Sequence, residues 1–206
     1  MTTDRAAKLI IILGFNGTGK TTLVKKLVKN EMNKPTGRGL IVTPDDIEWN
    51  FLPDVNQRLN HHIKDYVKFR KIIYQPGALN WIAAYFRNGL LIFDDCRAYL
   101  GATTDQELHN LLIRRRQKSI DIIAVGHGFS EVPPKFFTFA SEIILFKTMD
   151  AIKRRQNVIR NYTEMEAAQI RVNEAAQTNP YYFEVIPQIW TSKPKPTNPK
   201  HLQKHN

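Results

Sequence analysis

Short apolar runs recur along the chain, separated by longer stretches in which apolar positions return with helical spacing. KLIIIL (8–13), GLIVT (39–43), KIIYQ (71–75), LLIF (90–93), IDIIAV (120–125) and EIILFK (142–147) are each rich in Ile, Leu or Val. They are too uniformly apolar to have a wet face, so all six are predicted to be buried central strands. A helix is expected from near Gly19, between the first two. Between the third and fourth, Leu79, Ile82, Ala83 and Phe86 recur at i, i+3, i+4 and i+7, which predicts a helix with one core-facing stripe. Thr104 and Glu107 have the spacing of a capping box and stand ahead of a second stripe, Leu108, Leu111 and Leu112. Arg114, Arg115 and Arg116 crowd the last turn of that helix, where positive charge offsets the helix dipole. Strands alternating with helices imply an α/β fold in three layers, a mainly parallel central sheet with helices on both faces.

The rest of the chain is less regular. Residues 44–70 mix Pro, Asp, Asn and aromatics without clean periodicity and predict no element. Beyond residue 150 a polar helical region is expected to about Gln177, and then YYFEVI (181–186) as an edge strand. The last stretch, TSKPKPTNPKHLQKHN, holds three prolines, four lysines and no acid, and is expected to be disordered. The 206 residues, 42% of them hydrophobic, suffice for one well-buried domain. The expected organisation is therefore one domain over 1–190 and a basic, Pro-rich tail over 191–206.

The loop after the first strand carries the clearest chemistry. Gly14, Gly19, Lys20 and Thr21 in GFNGTGKTT match G-x-x-x-x-G-K-[ST] in full, with a strand before and a helix after. Glycines let such a loop curl until successive N–H groups point inward at phosphate oxygens, and the helix N-terminus adds partial positive charge. Gly14, Asn16, Gly17, Thr18, Gly19, Lys20, Thr21 and Thr22 are thus the expected nucleotide-binding residues. Lys20 supplies a full charge to the β- and γ-phosphates, and the Thr21 hydroxyl is a ligand for Mg²⁺. The expected cofactors are ATP and Mg²⁺.

Asp94 and Asp95 end the run GLLIFDD. A carboxylate at the tip of a buried strand is costly unless a cation compensates it. Asp94 is expected on the metal, and Asp95, pointing to the other side of the strand end, is expected to orient the attacking water or accept its proton. The strand IDIIAV leads to Gly126, His127 and Gly128, where His127 is placed to touch the γ-phosphate or the water. His61 and His62 lie in the irregular segment with no metal-ligand spacing, and are expected to be exposed.

Charge and cysteine content add two constraints. A formal net charge of +11 favours polyanionic partners, because Lys and Arg on phosphates release counterions. The single cysteine, Cys96, forms no intrachain disulfide and is expected to be a small packing residue. No apolar run approaches the roughly 20 residues of a membrane helix, and MTTDRAAK has no secretory-type apolar stretch. A protein that is not exported is expected.

These residues resemble the FtsK/HerA superfamily of DNA-pumping ATPases, and within it the small genome-packaging ATPases of icosahedral viruses and the zonula occludens toxin-like proteins of filamentous phages. The likeness runs from about Lys8 to Lys147. It is carried by GFNGTGKT as Walker A, LLIFDD as Walker B, and RRRQKSIDIIAVGHG followed by SEIILFK. The resemblance implies a RecA/ASCE-like P-loop NTPase fold and a ring-shaped homo-oligomer that hydrolyses ATP to move double-stranded DNA, packaging a viral genome into a capsid. Capsid or portal-vertex proteins are implied partners, and a cytoplasmic or virion-associated location is implied. Counting back from His127 puts Arg116 at the family's trans-acting arginine, with Arg114 and Arg115 close enough to substitute. Arg115 shares the face of the leucine stripe and is expected to pack its stem there. The family commonly has Glu where Asp95 stands and Gln where His127 stands.

DNA-gripping elements are sought in 44–70 and in Lys153, Arg154 and Arg155; either stretch equally suits a solvated surface. The alternative is a P-loop kinase acting on a nucleoside or small metabolite, with the three arginines in a lid over the donor phosphates. A nucleotide-dependent switch with little turnover is a third.

Overall fold

A computed structural model describes residues 7–55 and 66–188. Seven strands form one sheet: β1 Leu9–Leu13, β2 Arg38–Thr43, β3 Lys68–Ile73, β4 Gly89–Phe93, β5 Ile120–Gly126, β6 Glu142–Phe146 and β7 Phe183–Pro187. Their order across the sheet is β3-β2-β4-β5-β1-β6-β7. The first six run parallel, while β7 pairs antiparallel with β6. The helices are α1 Lys20–Met32, α2 Ala78–Tyr85, α3 Asp105–Arg114, α4 Pro134–Phe139 and α5 Tyr162–Ala175.

Successive strand side chains point to opposite faces, and the core divides accordingly. Leu9, Ile11 and Leu13 of β1, Leu91 and Phe93 of β4, and Ile122 and Ala124 of β5 pack with residues of α2, α3, α4 and α5. Ile12, Ile92, Ile123 and Val125 pack on the other face with Val24 and Val28 of α1, and with Trp49 and Leu52 from the segment after β2. This is the expected three-layer α/β arrangement.

Several expectations need correction. The third strand begins at Lys68, three residues ahead of the predicted KIIYQ, because the β2 register pairs Arg38 with Lys68 and Thr43 with Ile73. It is an outer strand rather than a central one, and its ends, Lys68 and Ile73, are exposed. Lys71 is buried there because its ammonium donates to Leu52 O at 2.9 Å and pairs with Asp46 at 2.7 Å. The capping box does not form. Thr104 precedes α3, but its hydroxyl donates to Gly101 O and accepts from Gly101 N–H, both at 3.0 Å. Glu107 instead accepts from Asn80 of α2 at 2.9 Å. Of the three arginines only Arg114 lies within α3. The six-residue α4 gave no periodicity to predict it. His61, His62 and the expected tail over 191–206 lie outside the described residues, as does part of the segment 44–70.

The α3 stripe provides a check on the core. Leu111 is fully buried, and Leu111→Ala should lower the unfolding free energy by about 2–5 kcal/mol. Ile113→Ala, at a residue 50% exposed on the same helix, should change it by less than about 0.5 kcal/mol. Urea denaturation of both variants reads the difference.

Candidate functional site

Parallel strands send all their carboxyl ends to one edge, and ligands of open α/β sheets bind there. The ends of β1, β4 and β5 reach this edge, β1 lying next to β5 and β5 next to β4. A cleft of about 450 Å³ opens above them.

The loop 14–19 forms its floor. A Cβ on Gly14 would stand 2.4 Å from the Phe146 Cβ of β6, so only glycine lets the loop lie this close to the sheet. The loop is fastened by Phe15 N–H donating to Lys147 O at 2.9 Å and by the buried Thr18 hydroxyl donating to Phe15 O at 2.8 Å. Gly19 has φ +96°, a left-handed conformation that turns the chain into α1. Lys20, the first residue of α1, is buried. Its ammonium donates to Gly14 O at 2.5 Å and Phe15 O at 2.8 Å, and lies 3.4 Å from His127 Nδ1. Burial lowers the Lys20 pKa, opposed by the charges of Asp94, Asp95 and Glu131.

The acids arrive from β4. Asp94 extends the sheet by donating its N–H to Val42 O at 2.9 Å, and its Oδ2 accepts the Trp49 indole N–H at 2.6 Å. Burial raises the Asp94 pKa and the Trp49 hydrogen bond opposes the rise. Asp95 does not stay on the other side of the strand end as expected. With φ +44° it turns back, so both acids line the same cleft. Its Oδ1 lies 3.6 Å from His127 Nε2. His127 thus stands between the Lys20 ammonium on its Nδ1 side and the Asp95 carboxylate on its Nε2 side.

Asn16, Gly17, Gly19, Lys20, Thr21 and Thr22 line the cleft together with Asp94, Asp95 and His127. Gly14 and Thr18 act behind that lining, through the contacts just given. Arg116 is elsewhere. It is exposed, between α3 and the amino end of β5, whereas His127 follows the carboxyl end of the same strand. Seven residues of strand separate these ends by roughly 20 Å. Arg115 is buried, donates to Leu112 O at 2.8 Å and lies over the Phe139 ring, so it packs as expected. Arg155 also leaves the set of candidate DNA contacts. Its guanidinium donates to the carbonyls of Phe129, Ser130 and Val132 at 2.8–3.0 Å, and so holds the loop after His127. Cys96 is fully buried, and burial pushes its thiol pKa up, which fits packing rather than reactivity.

Other residues at the site were not anticipated. Glu48 and Tyr181 line the cleft, and Trp49 orients Asp94. Glu131 accepts the His127 N–H at 3.2 Å and pairs with Arg97. Below His127, the buried Thr148 hydroxyl donates to its carbonyl at 3.5 Å, and Asp150 accepts the Ser130 hydroxyl at 2.7 Å. Helix α5 holds Thr148 in turn: Asn173 exchanges two hydrogen bonds with its backbone, and Gln169 donates to the carbonyls of Thr148 and Asp150. Trp49 lies in the segment 44–70, which has no periodicity to reveal its burial, and its buried indole N–H finds its acceptor in Asp94.

No protein-family model matches the chain, and no curated protein sequence matches it significantly. Solved structures do. The genome packaging NTPase B204 of Sulfolobus turreted icosahedral virus 2, in complex with AMPPCP, aligns with a TM-score of 0.65 at 14% identity, over 89% of this chain and 98% of that one. B204, the DNA-packaging ATPase of Sulfolobus turreted icosahedral virus, aligns with a TM-score of 0.63 at 16% identity, over 92% and 100%. The N-terminal domain of zonular occludens toxin from Neisseria meningitidis reaches a TM-score of 0.43 at 16% identity, over 70% and 78%, too low to carry weight. The likeness falls on proteins of the kind the sequence resembles, and it establishes the fold as that of the P-loop NTPases.

Proposed function

We propose that the chain is the subunit of a ring-shaped motor that hydrolyses ATP to drive double-stranded DNA, packaging a viral genome into a capsid at a portal vertex. The observation that carries this reading is the meeting of Lys20, Asp94, Asp95 and His127 in one cleft at the carboxyl edge of the sheet. The fold shared with the packaging NTPase B204 supports it, as does the net charge of +11.

In this reading the inward N–H groups of the loop 14–19 hold the triphosphate and the Lys20 ammonium moves from the carbonyls of Gly14 and Phe15 to the β- and γ-phosphate oxygens. Thr21 and Asp94 suit a magnesium ion, because both line the cleft and the half-buried Asp94 carboxylate, its pKa raised by desolvation, gains from a compensating cation. Such an ion supplies charge neutralisation at the phosphate oxygens. Asp95 orients the attacking water and accepts its proton. His127, 3.6 Å from Asp95, stands beside that carboxylate and touches the γ-phosphate. Arg116 acts in trans, because it lies at the far end of β5 from its own cleft. Of the basic stretch 153–155, the exposed Lys153 and Arg154 remain available to phosphates of DNA, with residues of the segment 44–70. Against the kinase alternative, with its three arginines over the donor phosphates, stand the burial of Arg115 against Phe139 and the place of Arg116 at the far end of β5 from the cleft.

Lys20→Ala should reduce phosphate release at least about 100-fold with the circular dichroism unchanged; normal turnover would remove the phosphate-site assignment. Duplex DNA should stimulate turnover of the wild-type chain, and the stimulation should fade steeply as salt rises. Transfer of phosphate to a nucleoside without DNA dependence would favour a kinase instead. Arg116→Ala and Asp95→Asn subunits, each inactive alone, should recover activity when mixed, with a maximum near equal proportions. No recovery at any ratio would exclude sites shared between subunits.

A further inference from the structure

We propose that the ring of Tyr181 is the platform on which the nucleotide base stacks, which rests on reading the cleft as a triphosphate site. The topology brings it there. Because β7 runs antiparallel to β6 with Phe146 opposite Phe183, its amino end returns to the edge where the parallel strands finish. Tyr181, two residues before β7, lines the same cleft as Lys20 and the acids.

The order of strands sets the direction of the ligand. Asp94, Asp95 and His127 come from β4 and β5, on one side of β1, while β6 and β7 lie on the other. The loop 14–19 follows β1, between them. A triphosphate with its terminal phosphate at Lys20 and His127 therefore extends its nucleoside toward β7 and Tyr181.

Tyr181 has the form of a stacking surface. Its Cδ1 would lie 3.2 Å from a Cβ on Gly19, so the ring rests directly on the turn into α1, yet the residue is 63% exposed. The turn that carries it is fixed: Tyr181 N–H donates to Asn179 Oδ1 at 3.1 Å, Tyr182 N–H to Asn179 O at 3.0 Å, and Asn179 N–H to Ala175 O at 2.9 Å. Behind Gly19 the rings of Phe146 and Phe183 lie 5.0 Å apart. Among the described residues no other Tyr, Phe or Trp lines the cleft.

Stacking tolerates every base, because each presents a π-face, and it ranks them by overlap rather than by hydrogen-bond pattern. The substrate class is thus a purine nucleoside triphosphate, with ATP and GTP held alike and CTP and UTP less tightly.

Displacement of a fluorescent ATP analogue from the full chain tests this, with ATP, GTP, CTP and inorganic tripolyphosphate as competitors. Tyr181→Ala should weaken ATP and GTP roughly 5- to 100-fold and leave tripolyphosphate unchanged. Tyr181→Phe and Tyr181→Trp should keep the nucleotide affinity. Unchanged ATP affinity in Tyr181→Ala, or a parallel loss for tripolyphosphate, would overturn the platform, the second result meaning that Tyr181 only props the loop. A strong preference for ATP over GTP in the wild type would overturn recognition by stacking. If wild-type chain failed to bind tripolyphosphate, or bound it equally after Lys20→Ala, the triphosphate site itself would fall, and the platform with it.

Discussion

The buried ammonium of Lys20 is the constraint around which the carboxyl edge of the sheet is organised. A charge withdrawn from water is costly unless its surroundings replace the lost solvation. Here the replacement comes from two carbonyls of its own loop, from an imidazole nitrogen and from acids on the neighbouring strands. Each demands a particular backbone. The carbonyls of Gly14 and Phe15 reach the lysine because Gly14 lies against Phe146 without a side chain. The acids and His127 reach it because β4, β5 and β1 are adjacent and end together. The fold and the electrostatics of the cleft are in this sense one arrangement.

What was legible in the sequence was local. A strand, a glycine-rich loop and a helix occupy consecutive residues, and the matched motif needs no knowledge of the rest of the chain. Asp94 and His127 follow from the same logic, since each ends an apolar run whose direction is set by parallel pairing. Trp49 reaches Asp94 across 45 residues of sequence, and Thr148 supports His127 across 21. No periodicity encodes such contacts. The β3 boundary was missed for a related reason: pairing with β2 decides it, and Lys71 is buried by the carbonyl and carboxylate it meets rather than by its own hydropathy. Thr104 shows a spacing satisfied without the structure it suggests, because the hydroxyl found Gly101 first.

The run of three arginines makes the same point at single-residue scale. Arg114 ends a helix and is exposed, Arg115 turns inward against Phe139, and Arg116 is exposed ahead of β5. Residue type is identical, and the three environments differ because the chain leaves the helix within that run. Arg155 likewise looks on paper like a surface cation, yet it holds three carbonyls of the loop that follows His127.

Helix α5 packs on β6 and β7, and bears on the geometry of the cleft through its hydrogen bonds. Through Asn173 and Gln169 it fixes Thr148 and so the carbonyl of His127; through Ala175 it fixes the turn of Tyr181. The two walls of the cleft thus hang from a single strut outside the sheet. The spacing of those walls is thereby tied to the length of one helix.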